Sequence, residues 1–551
     1  KICILNNIEA VAIAFLHSYA NSTNEKYVAD FLRTNLPPKV TICTSSEVSP
    51  EAREFERFST TAANAYVRPL MNNYLDSFNN KLLESGFLGS FLLLSSSGGL
   101  TSIEHAKKIP IRLVESGPAG GIILAKKVSN QLNQENSIAL DIGGTTAKIC
   151  FLKNGEPLIT RRLEIARAWQ NKSGSGFPLR MPAMDLVEIG AGGGSIAKSD
   201  SLGRLVVGPE SASSKPGPAC YNMGGTNPTL SDANVLLGRI SKETFAGGSI
   251  PLSELKSKEA ITKEIVKPLN FESLEGAASG IVEISEELMA NAARIHGIES
   301  GNNIRDFCLV ASGGGGPIHA VGIAEKLDIN KVIIPHLAGV GSALGFLYAP
   351  ISYEIARSLS KNLTDLQVGE IKGLIKQTKK TINAILVKAG SKPQNIEFTI
   401  IAELRYQGQG HEFSLPITNY LESKKENSEL VQRFIEKYQT KFGFSMPDNK
   451  IEFVSIIVTG KSPNLLGDIL FNQPSGEDSK RINPDSGKIK IYDPRTGSFV
   501  LHSVFKRNQL PEQFHQQGPC IIREPQTTTI IPKNWKVYNS KYHHLILTRV
   551  N

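Results

Sequence analysis

The residues of this chain best suited to chemistry form the run Asp141-Ile142-Gly143-Gly144-Thr145-Thr146. Successive glycines let backbone N–H groups turn inward around an anion, and the two hydroxyls add side-chain donors at the same place. Gly143, Gly144, Thr145 and Thr146 therefore read as a phosphate-binding turn. The Asp141 carboxylate cannot usefully touch phosphate, so its chemistry is to hold Mg2+ (or Mn2+) or the waters around it, as phosphoryl transfer requires. The competing reading is a structural hairpin in which the glycines merely make the turn.

Two further glycine runs belong with it. Gly190-Ala191-Gly192-Gly193-Gly194-Ser195 follows the strand-like Val187-Glu188-Ile189, and Gly192 and Gly193 are candidates to bring bare backbone to a ligand. Gly313, Gly314, Gly315 and Gly316 precede Pro317, where missing side chains admit a flat base or sugar and a helix N-terminus adds a positive pole. Gly192 to Ser199 misses the P-loop pattern, because Ala197 stands where a glycine is required before Lys198-Ser199. His319 reads as a packed or hydrogen-bonded histidine rather than a metal ligand. Asp232 has two readings, a first-turn acid complementing a helix dipole or a base facing a cleft. Cys220 lacks a His/Asp partnership that would make it a nucleophile, and His543-His544 with the scattered acids gives no zinc signature.

The elements that must position these residues follow from periodicity. Ile8 to Leu16 predicts a strand, with a helix after it running toward Leu32. Ser49-Pro50-Glu51 predicts the opening of a long helix that Pro69 bends and Gly86 stops. Arg112-Leu113-Val114, the Ser116-Gly117-Pro118-Ala119-Gly120-Gly121 turn and a small-residue helix predict the same order as Cys308 to Ala320, namely strand, glycine turn, helix. Two copies of one device point to two related halves. Ser137 to Leu140 and Ile149 to Leu152 predict strands on either side of the Asp141 turn, which separates it from Rossmann and P-loop turns that lead into helices. From Glu275 to Ile298 a helix should pack Ala278, Ile281, Ile284, Leu288, Ala292 and Ile295 on a sheet. After about Pro350 come an amphipathic helix near Glu370 to Val387, strands at Ile396 to Leu404 and Ile451 to Val458, and a β-rich end.

Bulk properties set the limits. The 551 residues exceed one compact core, and 40% hydrophobic with 21% charged residues is ordinary for a folded chain. A formal charge of +9 suits an anionic ligand, but the basic residues are scattered and form no nucleic-acid motif. Six dispersed cysteines without CxxC fit a reducing cytoplasm. No apolar run approaches the roughly 20 residues of a membrane span. The expectation is a cytoplasmic protein that binds neither nucleic acid nor membrane. Because the chain starts at Lys1 and enters an apolar run almost at once, an upstream segment is expected.

With these residues laid out, the chain resembles the hydantoinase A family, which includes ATP-dependent N-methylhydantoin and 5-oxoproline hydrolases and subunits of acetone and acetophenone carboxylases. The resemblance runs end to end. It is carried by Glu54-Phe55-Glu56-Arg57, Asn64-Ala65-Tyr66-Val67, the turn at Ser116, the Asp141 hairpin, Gly190 to Ser195, Pro216-Gly217-Pro218-Ala219-Cys220-Tyr221, Thr229 to Asp232, Gly313 to Ala320, Arg405-Tyr406-Gln407-Gly408-Gln409 and Gly518-Pro519-Cys520-Ile521-Ile522. It implies an α/β, actin-like fold of the acetate and sugar kinase and heat-shock chaperone type, duplicated around ATP and a divalent cation, plus a C-terminal α+β region. The implied domains are residues 1–135, the remainder of a first actin-like domain, 136–355, a second with the phosphate hairpin and nucleotide loop, and 356–551, the β-rich C-terminal region. The implied activity is phosphorylation of a carbonyl oxygen of a cyclic amide such as a lactam, hydantoin or 5-oxoproline, in an oligomer with a hydantoinase B-like subunit. Asp141 and Asp232 are the candidate catalytic residues and Asp141 the metal ligand. Alternatives are a ketone carboxylase subunit, a nucleotide-binding scaffold or inactive fragment, and a sugar-kinase-like enzyme. An earlier Asp-Gly-Gly-Thr-Phe-Thr-Asp hairpin usual in the family has no counterpart in this sequence, and Lys148 stands where many relatives carry an acid.

Overall fold

A run of apolar residues without alternation marks a strand covered on both faces. Ser137–Ile142 and Cys308–Ser312 are two such runs, and their side chains are almost all buried. In the computed structural model, which describes residues 6–165, 174–242, 245–418, 427–463 and 485–550, they lie side by side and parallel, with Ser312 opposite Asp141. The register brings the two glycine turns that follow these strands to the same edge of one sheet. Ligands of open α/β sheets bind at that edge, outside the carboxyl ends of parallel strands.

The chain divides into two compact units, each assembled from separated stretches: Lys1–Ser116, Ile159–Met184 and Ala349–Leu465 in the first, and Gly117–Leu158, Asp185–Tyr348 and Leu466–Asn551 in the second. The second unit holds the sheet just described. Its path runs Leu186–Ile189, Ala147–Lys153, Ser137–Ile142, Cys308–Ser312, Lys331–Ile334, Leu545–Arg549, Trp535–Asn539 and His515–Gln517. Helix Gly316–Lys326 contributes Ala320, Val321, Ile323 and Ala324 to a core shared with Ile138, Phe151, Leu309, Ile522 and Trp535. Truncating the fully buried Phe151 to alanine should cost about 3–5 kcal/mol. A four-stranded sheet, Asp485–Asp493, Ser498–Lys506, Cys520–Arg523 and Thr528–Ile531, delivers the turn at 524–527.

The first unit is built on a six-stranded sheet that includes Glu397–Tyr406, Ile451–Ser462 and Ile351–Asn362. Helix Val368–Lys388 lays Ile371, Ile375, Ile382 and Leu386, spaced at helical intervals, into its core. Helix Glu54–Glu84 contains Pro69, and Gly86 follows it at φ +82.

Three local expectations change. The long helix opens at Glu54, not at Ser49-Pro50-Glu51: Ser49 donates to the Arg180 carbonyl at 3.1 Å and Glu51 is buried in an ion cluster, so both side chains serve tertiary contacts. Arg112 to Val114 form no strand. Pro110–Leu113 is a 3-10 turn headed by a proline, and the Ser96 hydroxyl holds the carbonyls of Arg112 and Val114. The two glycine-turn devices therefore share only the helical half. Helix Leu274–Glu299 exists, but its buried face is rotated: Ala277, Ala278, Ile281, Val282, Met289 and Ala293 face inward, while Leu288 and Ile295 are exposed. The small residues permit close approach to neighbouring backbone, and the bulky ones were the misleading signal.

Candidate functional site

Strands Ser137–Ile142 and Ala147–Lys153 pair with Ile142 opposite Ala147, leaving residues 143–146 as a four-residue turn. The Gly190 loop is laid directly against it. Gly193 N–H donates to the Gly143 carbonyl at 3.0 Å, and Gly194 N–H to that of Gly144 at 2.6 Å. A Cβ on Gly192 would lie 2.7 Å from the Thr145 carbonyl carbon and 2.8 Å from the Thr146 nitrogen. The sequence needs glycine there because two backbones touch, with no room for a side chain. On the other side, Gly315 N–H donates to the Ile142 carbonyl at 3.0 Å, while Gly313, at φ +85, has no room for a Cβ against Asp141 and Ile142.

These contacts shape a cavity of about 320 Å³ within the second unit. Gly143, Gly144, Gly193, Gly314 and Gly315 lie on its wall. Gly192, Gly313 and Gly316 lie off the wall; the first two are packing positions that hold the loops together. Thr145 is exposed, and the Thr146 hydroxyl accepts from Lys148 Nζ at 2.8 Å, so neither threonine lines the cavity. Lys148 also sits 3.5 Å from Glu188. The lining also includes the apolar or aromatic side chains of Tyr221, Ile240, Phe245 and Ile318, and residues Glu524 to Thr528. Thr527 ties that last segment down by donating to the Gly314 carbonyl at 2.9 Å.

Charge is sparse here. Of the lining side chains only Glu524 is an acid, and it pairs with Arg507 at 3.3 Å; burial pushes its carboxyl up while Arg507 pulls it down. Asp141, at the base of the turn, accepts from the Ser342 hydroxyl at 2.8 Å through Oδ2, and no described residue donates to Oδ1. Among the described residues no group of three or more His, Cys, Asp or Glu comes together for a metal. Magnesium commonly takes one carboxylate plus phosphate oxygens and water, and one half-engaged Asp at a phosphate-sized turn fits that use.

Asp232 is fully buried. Its carboxylate accepts from the backbone of Ala219, Cys220 and Thr229 and from the hydroxyls of Thr229 and Ser257, at 2.6 to 3.2 Å. Together with Thr229 it forms a capping box on helix Leu230–Leu236. Every lone-pair direction is occupied, which is the first-turn arrangement and not one open to a cleft. Cys220 is buried beside it, and burial, reinforced by Asp232, pushes its thiol up and keeps it protonated.

Residues 57–355 match the hydantoinase/oxoprolinase family, and residues 365–550 match the hydantoinase/oxoprolinase C-terminal domain. The chain belongs to the hydantoinase/oxoprolinase family. It is 36% identical to an uncharacterized protein of Methanocaldococcus jannaschii, over 98% of this chain and 77% of that one. It is 30% identical to the caprolactamase alpha subunit of Pseudomonas jessenii, over 96% of this chain and 75% of the subunit. The crystal structure of that ATP-dependent caprolactamase superposes with a TM-score of 0.81 at 28% identity, covering 100% of this chain and 78% of the other. A nucleotide-free structure of acetone carboxylase, an ATP-dependent system, superposes with a TM-score of 0.78 at 24% identity over 99% and 77% of the two chains. The mixed α/β architecture is thus that of the hydantoinase/oxoprolinase family, and relatives within it are ATP-dependent lactamase and ketone carboxylase subunits.

Several residues of this hydantoinase/oxoprolinase-type cavity carry no motif. Asn234 lines it from the short helix Leu-Ser-Asp-Ala-Asn-Val-Leu, in which Ser231 and Asp232 are polar as well, so its polarity alone does not mark it. His319 is buried as its position implied, with Nδ1 2.9 Å from Glu286 and Nε2 3.1 Å from Asn234. Phe245 and Gln526 reach the cavity from turns whose destination depends on tertiary structure, so nothing local marks them, whereas Tyr221 ends the Pro216-Gly217-Pro218-Ala219-Cys220-Tyr221 run.

Proposed function

We propose that the glycine-walled cavity takes an adenine nucleotide and that the protein uses ATP to phosphorylate the carbonyl oxygen of a cyclic amide, a lactam, hydantoin or 5-oxoproline, preparing its C–N bond for hydrolysis. The observation that carries the reading is the convergence of the Asp141 turn, Gly193 and the Gly314-Gly315 helix start on one cavity of about 320 Å³ that apolar and aromatic side chains also line. Bare backbone beside Gly143 and Gly144 suits phosphate, the start of helix Gly316–Lys326 adds a positive pole, and Tyr221, Ile240 and Phe245 suit a flat base. Asp141 would hold Mg2+ through Oδ1, with Ser342 fixing the carboxylate by its other oxygen. The cation supplies neutralisation of the charge on the phosphate oxygens. Asp232 acts as a positioning residue that fixes the Ala219-Cys220 turn and the helix bearing Asn234.

An unstrained amide resists water because nitrogen donation weakens the carbonyl as an electrophile and the amide nitrogen leaves poorly. A phosphoryl group on the oxygen withdraws that density and provides the activation. Likeness to caprolactamase, a lactam-acting relative by name, supports amide over other carbonyl classes. The fold shared with acetone carboxylase supports a second reading, ATP-dependent ketone carboxylation. Relatives named as subunits support assembly with a second, hydantoinase B-like chain.

The test is ATP turnover by the protein assembled with such a partner, with Mg2+ and a panel of lactams, hydantoins and 5-oxoproline beside ketones with bicarbonate. Stimulation by cyclic amides with ring-opened product is the expected result. Stimulation by ketones with bicarbonate alone moves the assignment to carboxylation, and no stimulation by either class removes both.

A further inference from the structure

Three buried side chains form a hydrogen-bonded series, Glu286, His319 and Asn234, of which the last two line the cavity. Glu286 is 6% exposed and has the Arg239 guanidinium 3.6 Å from Oε1. His319 Nδ1 is 2.9 Å from that same oxygen, and its Nε2 is 3.1 Å from Asn234 Nδ2. Gly322 makes room for the carboxylate, because any Cβ there would collide with Glu286. Asn234 is 2% exposed, and its Oδ1 is buried without a hydrogen-bond partner among the described residues.

The chemistry of each group fixes the direction of the series. Glu286 as a carboxylate only accepts, so His319 Nδ1 carries the hydrogen between them. Nε2 faces the amide nitrogen of Asn234, the arrangement in which the imidazole accepts there. Asn234 must turn its amide nitrogen toward it, which leaves Oδ1 as an acceptor on a residue that lines the cavity. Leaving a buried carbonyl unpaired is unfavourable, a cost that a ligand N–H recovers and a ligand carbonyl makes worse. Around it, Tyr221 and Phe245, with ring centroids 5.6 Å apart, and Ile240 offer a wall for a planar ring.

We propose that Asn234, held by the Glu286–His319 relay, is the base-selecting residue of this cavity: its Oδ1 accepts from the exocyclic amino group of a 6-aminopurine and rejects a 6-oxopurine. The inference rests on the nucleotide reading above and adds to it a residue and a direction of selectivity. Asn234 touches the base, while His319 and Glu286 act through it as positioning residues.

Calorimetric titration of the protein with ATP and with ITP tests the point, since the two differ in the 6-amino against the 6-oxo group and in the hydrogen that the oxopurine carries on N1. The unaltered protein should bind ATP about tenfold or more tightly than ITP, the worth of one buried acceptor satisfied rather than opposed. Asn234→Leu should bring the two within about threefold, chiefly by weakening ATP. His319→Phe should narrow the ratio as well, because Asn234 is then free to turn its amide; loss of a merely structural histidine would lower both affinities together. Equal binding of ATP and ITP by the unaltered protein, or a ratio that survives Asn234→Leu, overturns the assignment and leaves the nucleotide cavity standing. Binding of neither nucleotide removes the nucleotide reading and this inference with it. The first comparison needs no variant, so a variant that fails to fold does not shield the proposal.

Discussion

The first unit buries its charges and the second unit's cavity largely does without them. In the first, Glu51 takes Arg161 at 2.7 Å and Arg180 at 2.8 Å, Arg161 also meets Glu354, and Arg180 lies 3.7 Å from Glu403, which the Ser455 hydroxyl engages at 2.6 Å. Burial alone would raise the Glu51 carboxyl, but Arg161 and Arg180 more than offset it and hold it below the usual carboxylate range. Each charge has an opposite partner, and Glu51 and Arg180 also line a cavity of about 870 Å³ within the first unit. The cavity of the second unit is made of backbone and, Glu524 apart, side chains without a carboxylate, yet it contains a residue, Asn234, whose Oδ1 none of the described residues satisfies. Buried charge that is already paired and a buried acceptor left unpaired at a bare-backbone wall are thus two different signals.

The comparison can be broken most forcefully at Arg161. Replacing it with alanine takes the guanidinium from Glu354 and leaves Glu51 with Arg180 alone, and should cost on the order of 3–5 kcal/mol of stability in denaturant unfolding while nucleotide affinity of the folded protein is kept. A loss under about 1 kcal/mol would mean that the cluster is not the structural device described. Gly192→Ala should do the reverse. Its Cβ would press on the backbone of residues 145 and 146, so Mg-ATP affinity should drop roughly a hundredfold with a smaller change in stability. Asp141→Asn should weaken Mg-ATP about tenfold, with little effect on metal-free nucleotide and little unfolding. Equal weakening with and without metal would remove Asp141 from cation binding.

The smallest effect concerns how the second unit treats its own buried ionisable groups. His544 is held near a pKa of about 3 by burial first, then by Arg507 and neighbouring histidines, and its Nε2 lies 3.0 Å from Gln131 Oε1. The unfolded chain takes up a proton below about 6.5 and the folded chain does not, so stability falls as pH drops from that value toward 3. By pH 6 the loss from this residue is on the order of 1 kcal/mol. Glu51 has the opposite charge type and the same sign of effect: its depressed carboxyl gives stability above the ordinary 4.5 that disappears as pH falls through the folded value. His544→Gln should flatten the decline between pH 7 and 6 and leave the steeper acid loss below 4.5. An unchanged profile would show that His544 is not the group responding.

Much of the fold was legible because strong local patterns decided it. The strand, turn and strand around Asp141, the strand and helix around Gly313, and the helices near 275–298 and 370–387 all stand where periodicity and glycine placement put them. Legibility stopped where a tertiary contact overruled a local signal. Ser49-Pro50-Glu51 looks like a helix start and is an ion-cluster corner; Arg112 to Val114 looks like a strand and is a 3-10 turn clasped by Ser96. At the site, sequence picked out the glycines but could not tell wall from packing. Gly193 and Gly314 face the cavity, while Gly192 and Gly313 exist to let loops touch. Asn234 and the turn at 524–527 were invisible for a different reason, since their role depends on which distant segments meet.

The account's central claim is that nucleotide is held by the bare backbone of the second unit. Hydrogen–deuterium exchange with and without Mg-ATP tests it most directly. The prediction is slowed exchange confined chiefly to three segments, 143–146, 192–194 and 313–316, together with the turn at 524–528, and loss of that protection in Gly192→Ala. Unchanged exchange in all of these segments at saturating Mg-ATP would contradict the claim.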